Sequence, residues 1–179
     1  MTDTSQPNSP TQDSAEIDAA LLADVKDAVE ERDTRWLART LQRMHPADAA
    51  DLLEQLPYDA FEEAVELLGG ELPPDILIEL RDTYREGAVD MLPDHAVANA
   101  LDELDSDDAT TILDDLDDDR RERILEDLAP IDRAQLERGL AYEEETAGRL
   151  MQTEFVALPE FWTVGQSIDY SRKLGTELP

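Results

Sequence analysis

The strongest constraint on this chain is a short acidic unit that recurs along its middle. Each unit begins at a proline, serine or aspartate and continues into one or two amphipathic turns, as in PADAADLL (46–53) and SDDATTIL (106–113). Segments this short are not stable helices alone, so they must stack on their neighbours. The spacing is mostly 11 to 13 residues, and the units begin at Pro46, Pro57, Pro74, Pro93, Ser106, Asp118 and Pro130.

Apolar residues recur every three or four positions between these starts, which predicts one buried stripe per helix. A first helix is expected from about Ser14, with Ile17 and Leu21 on its inner face. Proline suits the first turn of a helix, and Gly69-Gly70 is a clear stop signal. The predicted fold class is therefore all-α, built from short stacked helices that present an extended acidic surface.

The formal net charge of the chain is -30 and its sequence pI is about 4.1. Such a surface repels nucleic acid phosphates and anionic lipids, and it attracts divalent cations and basic protein faces. Aspartate and glutamate are also favoured in first helical turns, which gives many of these acids a local cause. Lys26 and Lys173 are the only lysines, so adaptation of the whole surface to concentrated salt is an alternative account of the charge.

Several classes of protein are excluded or disfavoured by what the sequence lacks. It has no cysteine, and no apolar run approaches the roughly 20 residues that span a bilayer, so membrane insertion by this segment is not expected. The N-terminus has no basic and apolar signal sequence, which predicts a cytosolic location. His45 and His95 are isolated and form no zinc or triad pattern, so we do not expect an enzyme.

The densest acidic cluster lies between residues 102 and 119. Magnesium prefers oxygen ligands and keeps several waters, so it is often held by only one or two carboxylates. A cluster like this can therefore share hydrated ions with another acidic surface. No EF-hand pattern is present, and the alternative is a solvated helix face with acidic first turns.

The pattern changes after about residue 142. Residues 143–151 suit one more helix, and residues 155–158 are apolar, β-prone and followed by Pro159, which predicts a short strand. Thr163 and Val164 then suit the start of a helix. Because a strand–helix pair cannot bury its faces alone, we expect the sequence to end inside a second domain.

Three segments of the sequence resemble the MgtE family of magnesium transporters. LQRMHPADAADLL (41–53) is similar to the helical opening of that family's cytosolic region, and LDELDSDD (101–108) is similar to its later repeats. YEEETAGRLMQTEFVA (142–157) resembles the junction between the N domain and the first CBS domain. Gln152 departs from the threonine that is common there, with little expected effect.

The resemblance implies a right-handed superhelix of short helices, followed by CBS domains and a dimeric membrane pore. The implied divisions are a disordered tail at 1–14, the N domain at 15–141, and a linker with the truncated start of a CBS domain at 142–179. The implied function is regulatory: Mg²⁺ ions bridge acidic faces of the N and CBS domains and favour pore closure. The implied partners are the protein's own CBS and transmembrane domains in a homodimer at the cytoplasmic side of the membrane, with no nucleic acid.

The implied metal half-sites are acidic residues at the starts of two helices. Asp107, with Asp108 beside it, matches a family position that contributes to the ion bridge, and Asp75 matches a second acidic position. Thr111 stands where some relatives have another acid, which puts that part of the network in question. The carboxylates that complete each site would come from the CBS domain, so Mg²⁺ binding to this chain alone is expected to be weak or absent.

Two other functions fit the residues less well. A helical scaffold for protein assembly, of the flagellar-switch type, shares the stacking of short helices, but the sequence after Thr146 argues against it. A hydrolase hidden in the acidic surface is disfavoured because no usable histidine or cysteine is present. A pair of CBS domains followed by about five apolar spans elsewhere in the gene would support the transporter interpretation.

Overall fold

The computed structural model describes residues 19–143, 146–153 and 155–174, and its regular structure is helical throughout. This confirms the all-α prediction. A single 3₁₀ turn, Gly69–Glu71, interrupts the series of α-helices. The helices are α1 (Ala19–Glu30), α2 (Thr34–Leu41), α3 (Pro46–Glu54), α4 (Tyr58–Leu68), α5 (Pro74–Glu79), α6 (Asp82–Met91), α7 (Asp94–Glu103), α8 (Ser106–Asp114), α9 (Asp118–Asp127), α10 (Pro130–Leu140) and α11 (Val164–Leu174).

The starts of these helices follow the recurring units. Pro46, Pro74 and Pro130 occupy the first turns of α3, α5 and α10, where a missing N–H costs no hydrogen bond. Elsewhere an aspartate caps the helix: Asp33 Oδ1 accepts from the Trp36 N–H at 3.0 Å, and Asp117 Oδ1 accepts from the Arg120 N–H at 2.9 Å. The unit boundaries in the sequence are therefore true helix boundaries.

The helices stack chiefly with a spacing of two along the chain. The pairs with this spacing that pack most extensively are α3 with α5, α4 with α6, α7 with α9, and α8 with α10. Leucine and alanine fill one continuous core between them, and Phe61 is its largest fully buried side chain. A chain whose helices contact mainly near neighbours forms an elongated stack rather than a closed bundle.

Arginines bind the carboxyl ends of several helices. Arg120 is buried and donates to the carbonyls of Val89 at 2.8 Å and of Leu92, both at the end of α6. Its Nε also donates to Asp94 Oδ1 at 2.8 Å, in the first turn of α7. The last carbonyls of a helix have no partner within the helix, so Arg120 satisfies them and joins three helices at one point.

The segment after α10 differs from the sequence prediction. Residues 146–150 form bends and turns rather than a helix, and residues 155–158 form no strand. A strand needs a second strand beside it, and the described part of the chain contains none. The expected helix after Thr163 is confirmed as α11: Thr163 Oγ1 accepts from the Gln166 N–H and Gln166 Oε1 accepts from the Thr163 N–H, a reciprocal cap.

Two other expectations concern the N-terminal tail and membrane-spanning helices. The predicted tail at residues 1–14 lies outside the described residues. Among the described helices, none combines the length and apolarity that a membrane span requires.

Replacing Arg120 tests whether the carbonyl contacts stabilise the stack. We expect Arg120→Ala to lower the free energy of unfolding by about 3 kcal/mol, because it leaves two buried carbonyls without donors. Arg123→Ala is the matched control, since Arg123 also pairs with Asp94 but its side chain is mostly exposed. It should cost less than about 1 kcal/mol in the same urea titration, and equal losses would contradict this account.

Candidate metal-binding face

The first turn of α8 carries the strongest candidate residues. Asp107 and Asp108 follow Ser106, which is buried, and both aspartates are half-exposed. The Thr110 hydroxyl donates to the Ser106 carbonyl at 2.6 Å, and the Thr111 hydroxyl donates to the Asp107 carbonyl at 3.1 Å. Thr111, where some relatives have an acid, thus contributes a backbone contact within α8 and no carboxylate.

Carboxylates from two helices meet around Asp108. The pKa of Asp108 is raised first by its partial burial and then by the charges of Asp107, Asp105, Asp75 and Glu79. The first two lie at the start of α8, and the last two belong to α5. The structure therefore brings the three predicted residues Asp75, Asp107 and Asp108 onto one surface, which we call the acidic face, together with Asp105 and Glu79.

Glu79 was not singled out in the sequence, although a signal for it was present. It follows Asp75 by four positions, so the two side chains lie on the same side of α5. Asp75 also lies at the rim of a groove of about 460 Å³ between the 3₁₀ turn, α5 and α7. The acidic face is therefore formed by exposed carboxylates of α5 together with those at the start of α8.

The acidic face lacks the arginine counterions that some other members of the acidic cluster have. Towards the end of α8, Asp114 pairs with Arg149, and Asp115 pairs with Arg85 at 2.6 Å. Burial raises the pKa of Asp115, and the Arg85 ion pair opposes that rise. Among the described residues, no arginine or lysine pairs with the members of the acidic face.

The carboxylates of the acidic face are spread over a surface and do not enclose an ion. No group of three histidine, aspartate or glutamate side chains within the described ranges is arranged to hold a metal by itself. One or two carboxylates are enough to position a hydrated Mg²⁺ ion, provided that other ligands are supplied from outside. The acidic face alone therefore has too few ligands to hold a cation, unless other groups supply the rest.

These features define a class of protein module: an all-α domain of short stacked helices that carries an acidic face around Asp108. A family model described as the MgtE intracellular N domain matches residues 44–145, more than half of the chain. The chain belongs to this family. The expected location at the cytoplasmic side of the cell membrane agrees with the intracellular location in the family's description.

Two solved structures share the fold. The cytosolic domain of the Mg²⁺ channel MgtE, crystallised in complex with ATP, has 28% sequence identity and a TM-score of 0.73, over 88% of this chain and 64% of that one. The soluble part of a magnesium transporter has 19% identity and a TM-score of 0.71, over 89% of this chain and 63% of that one. The second likeness shows the fold alone.

The present chain spans less than two thirds of the length of these two structures. A search among curated proteins gives no match.

The raised pKa of Asp108 makes a prediction about stability and pH. Because folding raises this pKa above its ordinary value of 3.8, ionised Asp108 destabilises the fold, and the penalty grows as pH rises through the folded pKa. We expect Asp108→Asn to raise the melting temperature at pH 7, and we expect this difference to shrink as pH falls to the ordinary aspartate pKa of 3.8.

The control for this effect is Asp51→Asn, which removes the same charge from an exposed position in the middle of α3. It should change the melting temperature much less at either pH. If the two variants behave alike, the effect belongs to the net charge of the chain and not to the acidic face.

Proposed function

We propose that this chain is the regulatory domain of an MgtE-type magnesium channel or transporter, which senses intracellular Mg²⁺ through its acidic face. The observation that carries the proposal is the group of carboxylates around Asp108, which two helices contribute and which has no arginine or lysine partner among the described residues. Membership of the MgtE N-domain family supports this function over a flagellar-switch type of scaffold.

The physical basis is the repulsion between like charges at an interface. Two acidic surfaces cannot approach closely in low dielectric unless cations lie between them. We propose that Asp107, Asp108 and Asp75 provide one side of each Mg²⁺ site and that carboxylates of a CBS domain provide the other. The ions would be regulatory ligands, held partly through water, with no catalytic role.

The resulting switch has two arrangements of the domains. At high Mg²⁺ the N domain docks on the CBS domain and favours a closed pore, and at low Mg²⁺ repulsion separates the two. The ion shifts this equilibrium because it binds only the docked arrangement well. In this proposal, residues 15–141 are the helical domain, later residues begin the CBS domain, and the complete protein is a homodimer.

The test is protection from proteolysis by Mg²⁺ in a protein that joins this chain to its CBS domain. Millimolar Mg²⁺ should slow cleavage in the unmodified protein. Asp107→Ala should require at least about fivefold more Mg²⁺ for equal protection, since one unit charge beside a cation contributes ~1 kcal/mol even in water.

Two controls separate ion bridging from general adaptation to salt. Asp51→Ala removes an exposed carboxylate of α3 and should leave the Mg²⁺ dependence unchanged. NaCl at matched ionic strength should protect far less than MgCl₂, because Na⁺ is a weak bridging ion. Equal protection by the two salts would show that the acids serve only solvation.

A further inference from the structure

The guanidinium of Arg85, in α6, contacts the ends of two other helices. Its Nε donates to Asp115 Oδ2 at 2.6 Å, at the carboxyl end of α8. Its Nη1 donates to the Leu80 carbonyl at 3.4 Å, at the carboxyl end of α5. Its Nη2 donates to Asp82 Oδ1 at 3.2 Å, in the first turn of α6. One side chain therefore joins the end of α5 to the end of α8.

The contact between Arg85 and Asp115 is shielded from solvent. The two side chains are only 12% and 9% exposed. A charge-assisted hydrogen bond at such a position is screened little by salt, so it is stronger than an ion pair on the open surface. Loss of either partner would leave a largely buried charge without this compensation. The link from α6 to α8 is therefore expected to persist at physiological ionic strength.

The segment between α5 and α6 is also fixed from α3. The Arg81 N–H donates to Glu54 Oε1 at 2.6 Å, and Arg81 Nε pairs with the other carboxylate oxygen. The Tyr84 hydroxyl donates to the Glu54 carbonyl at 3.3 Å. Glu54 is the last residue of α3, and its side chain is only 7% exposed. Arg85 thus reaches α8 from a part of the stack that α3 already holds in place.

The two helices that Arg85 joins, α5 and α8, are those that supply the acidic face. Asp75 and Glu79 belong to α5, and their charges act on Asp108 at the start of α8. Like charges on two neighbouring helices favour their separation. Asp115 lies about two helical turns after Asp108, at the opposite end of α8. Arg85 therefore attaches α8 to α5 at a distance from the repulsion and opposes it.

We propose that Arg85 is a positioning residue of the acidic face, which sets the spacing between the carboxylates of α5 and those of α8 by joining the ends of the two helices. Its contacts are with Leu80, Asp82 and Asp115, so it acts through helix packing and not by pairing with a member of the face. The spacing determines how well carboxylates of both helices share one hydrated cation. This consequence for Mg²⁺ rests on the proposed function, whereas the spacing itself does not.

Spin labels on α5 and α8 test the spacing without Mg²⁺. The chain contains no cysteine, so Glu79→Cys and Thr111→Cys place one label on each helix. We expect clear dipolar broadening in the electron paramagnetic resonance spectrum of the doubly labelled chain. Arg85→Lys should weaken this broadening, because an ammonium is a single point charge and cannot replace the planar fork that contacts both helix ends.

The matched control is Arg121→Lys. Arg121, in α9, donates to the Leu113 carbonyl near the end of α8 at 3.4 Å and pairs with Asp118. It therefore contacts the end of α8, as Arg85 does, but from α9 and not from the side of α5. Arg121→Lys should leave the broadening unchanged, and far-UV circular dichroism should show that both variants are folded.

The consequence for Mg²⁺ is measured in the protein that joins this chain to its CBS domain. Arg85→Lys should raise the Mg²⁺ concentration needed for half-maximal protection from proteolysis about twofold or more, the low end of couplings within one network. It should also reduce the further effect of Asp75→Asn, because the α5 carboxylate is already misplaced. A merely structural role would leave the effect of Asp75→Asn the same in both backgrounds.

The outcomes separate the role of Arg85 from the proposed function. If Asp107→Ala leaves protection by Mg²⁺ unchanged, the proposed function fails, and the spin labels alone decide whether Arg85 sets the spacing. If Asp107→Ala weakens protection but Arg85→Lys does not, Arg85 is not a positioning residue. Equal broadening in Arg85→Lys and Arg121→Lys would overturn the proposal as well. If Arg85→Lys does not fold, Asp115→Asn replaces it, because it weakens the same ion pair and keeps the shape of the side chain.

Discussion

The rest of the structure depends on how very short helices satisfy their ends. The described helices have 6 to 12 residues, so the unpaired N–H and C=O groups of the first and last turns make up much of each one. Prolines and capping carboxylates satisfy the amino ends locally. The carboxyl ends are satisfied from a distance, by arginines such as Arg120 and Arg149 that reach them from other segments. Burial of leucine and alanine between near neighbours then holds the stack together.

This use of arginine has an electrostatic consequence. The chain has 15 basic residues against 45 acidic ones, and several of the arginines are committed to helix ends and to the acids beside them. The first turns of α5 and α8 receive none of them. Asp108 therefore lies among like charges, and a cation supplied by the solvent is the simplest means of compensating them.

The order of helices was predictable from sequence because their boundaries are set locally. Proline at Pro46, Pro74 and Pro130 and aspartate at Asp117 mark starts that depend on the nearest few residues. The strand predicted at 155–158 is not confirmed, because strand pairing requires a partner strand, which no local pattern can supply. Apolar residues of this segment, such as Phe155, are exposed and are not part of a hydrogen-bonded sheet.

The candidate site was predictable only in part, for a related reason. The sequence places Asp75 and Asp107 at helix starts, and the resemblance to MgtE proteins proposes a role for them. That α5 and α8 lie side by side is a tertiary fact, as is the commitment of Arg120 to carbonyls 28 and 31 residues earlier. Which acids have an arginine partner therefore follows from the packing, and Glu79 joins the acidic face because α5 packs beside α8.

The central claim is that this face is one side of a cation-bridged interface, and paramagnetic relaxation by Mn²⁺ tests it most directly. In a protein that includes the CBS domain, substoichiometric Mn²⁺ should selectively broaden the amide resonances of residues 75, 107 and 108, and Mg²⁺ should reverse the broadening. Asp107→Ala should reduce the effect at all three positions. Broadening spread evenly over the acidic helices, unaffected by Mg²⁺ or by Asp107→Ala, would contradict the account.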